Sequence, residues 1–202
     1  MPLGYLLGSI PFGVLVGRVT KRIDVRDYGS GNTGMTNVMR LAGVPAGVLV
    51  LVLDMGKAAL AVGLARVFSD SAGVAAGAGL AALAGHIWPV FIGFRGGRGT
   101  ASGLAALIVL SPVAGLASTI IGLPLLLLTR YVSVGSISGA TVGGLTLVAL
   151  SLTTSLAEPQ YAWFGVIGTT LVLLRHKENI QRLLRGEERK LGGTADTLHG
   201  GS

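Results

Sequence analysis

The chain has 202 residues, half of them hydrophobic, with a mean hydropathy of +0.70 and only 12% charged residues. A water-soluble domain carries about 25% charged residues, so this composition excludes an ordinary soluble protein and predicts a surface that faces lipid. The net charge is +7, and no interleaving of aromatic and basic residues accompanies it. It therefore indicates basic loops beside a membrane and no nucleic-acid partner. Cysteine is absent, which excludes disulfides and thiolate chemistry.

Six long apolar segments follow one another along the chain, and most are long enough to cross a bilayer as helices. They lie at 3–19, 45–68, 73–94, 100–128, 132–156 and 161–174. We find no internal repeat and no linker, so residues 1–191 are interpreted as one domain. Residues 192–202 are small, polar and unpatterned, and we interpret them as a flexible tail, either native or left by cloning.

The distribution of basic residues predicts the orientation. Lysine and arginine collect after the first segment, after the third, at Arg130 and in the C-terminal region, whereas the loops at Asp70 and Glu158 have little positive charge. Cytoplasmic loops carry the excess of lysine and arginine, so all the basic loops belong on that side. A single crossing by the fourth segment would place the basic C-terminal region outside.

A break in the fourth segment removes this conflict. The segment contains Ser111-Pro112, and the residue before a proline resists the helical conformation. We therefore predict two short helices, at 100–110 and 112–128. The sequence thus predicts an all-α membrane bundle of seven transmembrane helices, with glycine-rich cytoplasmic loops, the N-terminus outside and the C-terminus in the cytoplasm.

Three polar stretches come together on the cytoplasmic side of this topology. The first begins with Ser30, Gly31, Asn32, Thr33 and Gly34, and leads into a short amphipathic helix that should end near Arg40. Ser30 or Asn32 is the expected N-cap of that helix. Capping accounts for one polar residue and not for the whole run, so capping and a binding role both remain open.

The second stretch reads "GHIWPVFIGFRGGRGTASG". Gly96, Gly97 and Gly99 surround Arg98, and a helix should begin at about Thr100. Exposed backbone N–H groups, a helix N-terminus and a guanidinium group all attract phosphate. A glycine-rich turn before a helix is, by itself, more commonly only a turn.

The third stretch reads "RHKENIQRLLRGEE", in which His176 and Asn179 are three residues apart and share a helical face. His86 lies in an apolar run, where a packing role is more common than a catalytic one. Asp54 and Lys57 lie three apart within the second segment, and an ion pair that stabilises the bundle is the expected role. Ser133 and Ser136 lie near the mouth of another helix, where their hydroxyls can face the same site.

These stretches resemble the motifs of the bacterial membrane glycerol-3-phosphate acyltransferases of the PlsY family, which use acyl phosphate as donor. The matching segments here are "SGNTGMTNVMR", "GHIWPVFIGFRGGRG" and "RHKENIQRLLRGEE". The openings "YLLGSIPFG" and "DMGKA" are also similar, so the resemblance extends from Tyr5 to Gly192. Two positions differ: Met35 stands where the family usually has alanine, and Arg98 where lysine is usual.

The resemblance implies transfer of an acyl group from acyl phosphate to the 1-hydroxyl of sn-glycerol 3-phosphate, in the bacterial cytoplasmic membrane. The products are lysophosphatidic acid and phosphate, the first step of phospholipid synthesis. No set of ligands in the sequence suggests a metal, and no cofactor is expected. The resemblance also implies a functional link to the soluble enzyme that makes acyl phosphate. An organic-phosphate transporter and a non-catalytic scaffold of lipid synthesis are the alternative functions.

The candidate site residues fall into three groups. Those assigned to catalysis are Ser30, Asn32, His86, His176 and Asn179. Those assigned to substrate and phosphate binding are Gly31, Thr33, Gly34, Thr36, Asn37, Arg40, Gly96, Gly97, Arg98, Gly99, Ser133 and Ser136. Asp54, Lys57 and Glu188 are assigned to structure. We expect the glycerol hydroxyl to attack the acyl carbonyl directly, with His176, His86 or a donor phosphate oxygen as the base.

The orientation can be tested with single cysteines, because the chain has none of its own. Cysteines introduced at Arg130 and Glu188 should react with a membrane-impermeant reagent from the cytoplasmic side. Cysteines at Asp70 and Glu158 should react from the opposite side. Labelling of positions 130 and 188 from different sides would show that the count of seven crossings is wrong.

Overall fold

In the computed structural model, which describes residues 1–192, all regular structure is helical. The prediction of a flexible tail at 192–202 concerns residues that, after Gly192, lie outside the described part of the chain. The helices are α1 Pro2–Gly8, α2 Phe12–Lys21, α3 Met35–Ala42, α4 Val44–Phe68, α5 Ala72–Ile87, α6 Thr100–Leu110, α7 Pro112–Thr129, α8 Val132–Thr153, α9 Tyr161–Arg175 and α10 Lys177–Leu184.

Five helical segments of the described chain are long and apolar enough to cross a bilayer. They are Pro2–Lys21, Val44–Phe68, Ala72–Ile92, Pro112–Thr129 and Val132–Thr153. Helices α6 and α9 are also apolar but shorter. The predicted all-helical membrane architecture is confirmed, whereas the count of seven crossings stays a prediction that depends on α6 and α9.

Two prolines interrupt apolar segments. Helix α6 ends at Leu110 and α7 begins at Pro112, with the Ser111 hydroxyl accepting a hydrogen bond from the Ala114 amide. The predicted break is therefore confirmed. The first apolar segment, predicted as one span, is divided into α1 and α2 by the residues before Phe12, because Pro11 resists a helical continuation.

Small residues allow the helices to pack closely. A Cβ added to Gly122 of α7 would lie 2.8 Å from the carbonyl oxygen of Gly135 in α8. A Cβ on Gly8 of α1 would collide with the backbone of Ala82 in α5. Glycine is thus required where these backbones touch, as is typical of helix pairs in membranes.

A buried polar cluster joins α4, α5 and α6. The Asp54 carboxylate lies 2.7 Å from the Lys57 ammonium and 3.4 Å from Nδ1 of His86. Lys57 also donates to the carbonyl of Ile10, and the Ser102 hydroxyl donates to the carbonyl of Asp54 at 3.0 Å. The predicted ion pair between Asp54 and Lys57 is confirmed, and it ties the break between α1 and α2 to the middle of α4.

The other end of α6 is also fixed to α4. The Arg66 guanidinium donates to the carbonyl of Leu110 at 3.1 Å and to the Tyr161 hydroxyl at 3.0 Å. Helix α6 therefore runs alongside only the part of α4 between Asp54 and Arg66. The N-terminus of α6, where the glycine loop ends, lies beside the middle of α4 and not beside the first residues of α4.

Candidate active site

A cavity of about 720 Å³ extends from the polar loops into the helical bundle. It has a polar mouth and an interior lined by leucine, valine, glycine and phenylalanine residues. The predicted site residues that line it are Ser30, Asn32, Gly34, Thr36, Asn37, Arg40, Asp54, His86, Arg98, Gly99, Ser133, Ser136, His176, Asn179 and Glu188. The predicted residues that do not line it are Gly31, Thr33, Gly96, Gly97 and Lys57.

Asn37 organises the first polar loop. Its side-chain amide is buried and donates to the carbonyls of Val25, Tyr28 and Asn32, at 2.8 to 3.2 Å. Its side-chain oxygen accepts the backbone N–H of Ser30 at 3.0 Å. Because donors and acceptor are all engaged, Asn37 shapes the loop and has no free group for the substrate contact that we predicted.

The predicted cap of the first loop's helix is wrong. The N-cap of α3 is Gly34, and neither Ser30 nor Asn32 caps it. Asn32 donates instead to the backbone carbonyl of Ser30. Ser30 itself is exposed and lines the cavity. Thr33 is buried behind the loop, where its carbonyl packs against Gly13 of α2.

The glycine loop differs from the predicted phosphate nest. The backbone N–H groups of Gly96 and Gly97 donate to the carbonyls of Ile87 and His86, at 3.2 and 3.1 Å. These two amides therefore hold the loop against the end of α5 and do not point at a ligand. Gly97 also packs so closely on the His86 imidazole that a Cβ would collide with its Nε2 atom.

The end of the glycine loop faces the cavity. Gly99 has a φ of +86° and is the N-cap of α6, and both it and Thr100 line the cavity. The first backbone N–H groups of a helix have no partner within the helix, so the start of α6 presents donors here. Burial and the positive charge of Arg182 together lower the pKa of the Arg98 guanidinium to about 10. Arg98 still carries its charge at neutral pH.

His176 is buried and neutral. Its Nδ1 lies 2.8 Å from the carbonyl of Val172. A carbonyl can only accept, so Nδ1 carries the proton and Nε2 keeps a free lone pair. Burial and the positive charge of Arg98 lower the pKa of His176 to about 4, and the bond to Val172 partly opposes this shift.

Glu188 joins the C-terminal region to the bundle. Its carboxylate accepts hydrogen bonds from Ser133 at 2.7 Å, Asn179 at 2.6 Å and Arg182 at 2.9 Å. Burial alone would raise the pKa of Glu188, but these three bonds outweigh it and hold the pKa below its usual value. Ser133 and Asn179, predicted to contact substrate, are thus bound to a carboxylate.

The residues after α10 form a strap across the cavity mouth, from Gly186 to Leu191. The backbone N–H of Leu191 donates to the carbonyl of Arg130 at 2.6 Å, and the Arg130 side chain donates to the Leu191 carbonyl at 3.1 Å. The Lys190 ammonium lies 5.6 Å from the centre of the Tyr131 ring. The strap is therefore held against the residues just before α8, and Glu188, Arg189 and Leu191 within it line the cavity.

Two arginines that were not predicted from the sequence also line the cavity, Arg182 and Arg189. Arg182 could have been found, since it lies one helical turn after Asn179 and shares its face. Arg189 belongs to the strap, whose path depends on contacts far away in sequence. Within residues 1–192, no group of three His, Asp or Glu side chains is arranged to hold a metal ion.

The chain is similar in sequence to proteins of one known family. The family model for glycerol-3-phosphate acyltransferase matches residues 1–186. The chain is 45% identical to a glycerol-3-phosphate acyltransferase of Synechococcus sp. (strain CC9902), over 95% of this chain and 94% of that protein. It is also 45% identical to one from Anaeromyxobacter dehalogenans (strain 2CP-C), over 93% and 94%.

Two solved structures share the fold. Both are of PlsY, an integral membrane glycerol 3-phosphate acyltransferase, in its glycerol 3-phosphate and lysophosphatidic acid forms. The first gives a TM-score of 0.84 at 37% identity, covering 94% of this chain and 92% of that one. The second gives 0.83 at 36%, covering 95% and 93%.

The chain folds as a multi-pass helical bundle with a cationic cavity mouth, and its relatives are acyltransferases. It is therefore a membrane acyltransferase. More closely, the chain belongs to the glycerol-3-phosphate acyltransferase family.

The protonation of His176 can be measured by NMR of histidine-labelled protein. We expect its imidazole to stay neutral from pH 8 to pH 5 and to titrate near 4. The unfolded chain, with a histidine pKa of about 6.5, binds more protons in that range, so stability should fall as the pH is lowered from 6.5 towards 4. The signal is assigned by its loss in His176→Gln. A midpoint near 6.5 for that signal would contradict the assignment of a buried neutral ring.

Proposed function

We propose that the enzyme transfers an acyl group from acyl phosphate to the 1-hydroxyl of sn-glycerol 3-phosphate. The observation that carries this proposal is a single cavity with a cationic mouth and an apolar interior. Arg40, Arg98 and Arg182 suit the phosphate groups of both substrates. The apolar interior suits the acyl chain of the donor.

The reaction needs no protein nucleophile, because an acyl phosphate is already activated. Within residues 1–192, no serine or threonine hydroxyl is hydrogen-bonded to a histidine, as an activated nucleophile would be. The glycerol oxygen forms a bond to the carbonyl carbon, and the bond from that carbon to the phosphate oxygen breaks. The catalytic gain then comes from positioning and electrostatic stabilisation.

The proton of the attacking hydroxyl goes to the donor phosphate in this proposal. A general base works best when its pKa is near the operating pH, and the pKa of His176 is about 4. His176 therefore orients the hydroxyl by accepting a hydrogen bond at Nε2, and a phosphate oxygen takes the proton and leaves with it. His86 lies between Asp54 and Gly97, so its role is to position the glycine loop.

The proposed setting is the bacterial cytoplasmic membrane, with seven crossings, the N-terminus outside and the cavity mouth on the cytoplasmic side. The basic loops around Arg98, Arg130 and Arg182 share one end of the bundle, in keeping with that orientation. A water-soluble acceptor would enter there. An acyl phosphate delivered by the soluble enzyme that makes it would enter the cavity at the same end.

The proposal is tested with purified protein in lipid nanodiscs and three donors: acyl phosphate, acyl-CoA and acyl carrier protein. Lysophosphatidic acid should form with acyl phosphate alone, with one inorganic phosphate released for each acyl group transferred. Transfer from acyl-CoA or acyl carrier protein at comparable rates would contradict the proposed donor and leave the family assignment intact.

Substitutions of Arg98 distinguish between two roles for its side chain, as a phosphate clamp or as a proton donor. As a clamp, Arg98→Lys should keep the charge and lose the two-pronged hydrogen bond, which costs about 1–2 kcal/mol and raises KM roughly 5- to 30-fold. Arg98→Ala should be far worse, because it removes the charge as well. Arg95→Ala, at an exposed position that does not line the cavity, is the matched control. An Arg98→Lys enzyme that is faster than the parent, with a new titration near neutral pH, would overturn the clamp.

A further inference from the structure

The segment from the glycine loop to the first turn of α6 is attached to the bundle at two points. At the first point, the backbone N–H of Gly97 donates to the carbonyl of His86 at 3.1 Å. At the second point, the Ser102 hydroxyl donates to the backbone carbonyl of Asp54 at 3.0 Å. The residues between the two points that line the cavity are Arg98, Gly99, Thr100 and Ala101.

Both attachments lead to the same residue of α4. The Asp54 carboxylate lies 3.4 Å from Nδ1 of His86, and Gly97 packs on the other side of that imidazole. The backbone carbonyl of Asp54 accepts the hydroxyl of Ser102. The side chains of Asp54 and His86 are only 3% and 5% exposed, and Ser102 is fully buried. Polar contacts are strong in such a dry place, so the two attachments are well defined.

Lys57 holds Asp54 in turn. The Lys57 ammonium lies 2.7 Å from the Asp54 carboxylate and donates to the carbonyl of Ile10 at 2.9 Å, in the break between α1 and α2. The ammonium is buried as well, so both charges of the pair depend on one another. The two attachments therefore end at a point of the bundle that other helices fix.

The placement of Arg98 depends on these attachments. Within residues 1–192, the Arg98 guanidinium forms no hydrogen bond that would hold its side chain in place. Its two neighbours in sequence are glycines, which offer it no side-chain packing. The direction of the Arg98 side chain is therefore set by the backbone, and the backbone is fixed through Gly97 and Ser102.

We propose that Ser102 and Asp54 are positioning residues for the phosphate site. They fix the start of α6, and with it Arg98 and the first N–H groups of the helix, where a substrate phosphate binds. This role rests on the proposed function, in which Arg98 holds that phosphate. A small displacement of α6 would spoil the hydrogen-bond geometry to the phosphate, so substrate binding would weaken more than the chemical step.

Ser102→Ala is the main test, because it removes only the hydroxyl. The Asp54 carbonyl keeps its bond within α4, so no buried group loses its last partner. The substrate whose KM rises in Arg98→Lys should also show a KM about three- to tenfold higher in Ser102→Ala. Its kcat should change less than about twofold. Initial rates of the purified protein in lipid nanodiscs, with each substrate varied in turn, measure both constants.

Ser151→Ala is the matched control. Ser151 lies in α8, is only 3% exposed and does not line the cavity. Its hydroxyl has no hydrogen-bond partner among residues 1–192, so the substitution removes the same atoms without removing a bond. Both KM values should equal those of the parent. An equal rise of KM in Ser151→Ala would show a general loosening of the bundle and overturn the positioning role.

A double variant separates positioning from stability. If Ser102 acts through Arg98, Ser102→Ala should raise KM by a smaller factor in the Arg98→Lys enzyme than in the parent, because both changes weaken one contact. Factors that simply multiply would show that the hydroxyl acts elsewhere, and they would overturn the role.

Gly97→Ala displaces the other attachment and serves if Ser102→Ala does not fold. Its added methyl group would collide with Nε2 of His86, so the same KM should rise. An unchanged KM in the folded Ser102→Ala or Gly97→Ala enzyme, while Arg98→Lys raises it, overturns the positioning role alone. An unchanged KM in both Arg98→Lys and Arg98→Ala overturns the phosphate clamp of the proposed function, and the positioning role with it.

Discussion

The carboxylate of Glu188 is the contact on which the shape of the cavity mouth depends. It accepts hydrogen bonds from Ser133 at the start of α8 and from Asn179 and Arg182 in α10. Removing it would leave three donors without their acceptor in a largely buried place, at a cost of about 1–3 kcal/mol for each group left unsatisfied. It would also remove a negative charge from beside the arginines of the mouth. The structural role assigned to Glu188 from the sequence thus has a physical basis.

The order of the helices could be predicted because long apolar runs and prolines are local signals. The break before Pro112 was predicted from the charge balance of the loops, and the structure contains it. The break before Phe12 was missed, although Pro11 gave the same signal in a shorter run. That run is only just long enough to cross a bilayer, so nothing in its length suggested a division. The π-helical segment of α9, Phe164–Gly168, has no comparable sequence signal.

The three polar stretches were correctly predicted to share one site, but the role of each residue there was not. Asn37 and Gly97 were predicted to meet substrate, yet their hydrogen-bonding groups are used within the protein. Sequence spacing cannot show this, because the partners of Gly97 lie at the end of another helix. The neutral state of His176 likewise depends on burial and on Arg98, which only the folded chain provides. Residue type predicted the chemistry of the site, and tertiary contacts decided which groups remain free to perform it.

Helix α6 has 11 residues and α4 has 25, so α6 runs alongside only part of α4. The bond from Ser102 to the carbonyl of Asp54 places the first turn of α6 beside Asp54, about 15 Å along α4 from its first residue at 1.5 Å per residue. Asp54 is also part of the cavity wall, so the cavity is open at least about 15 Å along α4 from that helix's first residue. A side chain from the middle of a long apolar helix thereby shares one space with the polar loops.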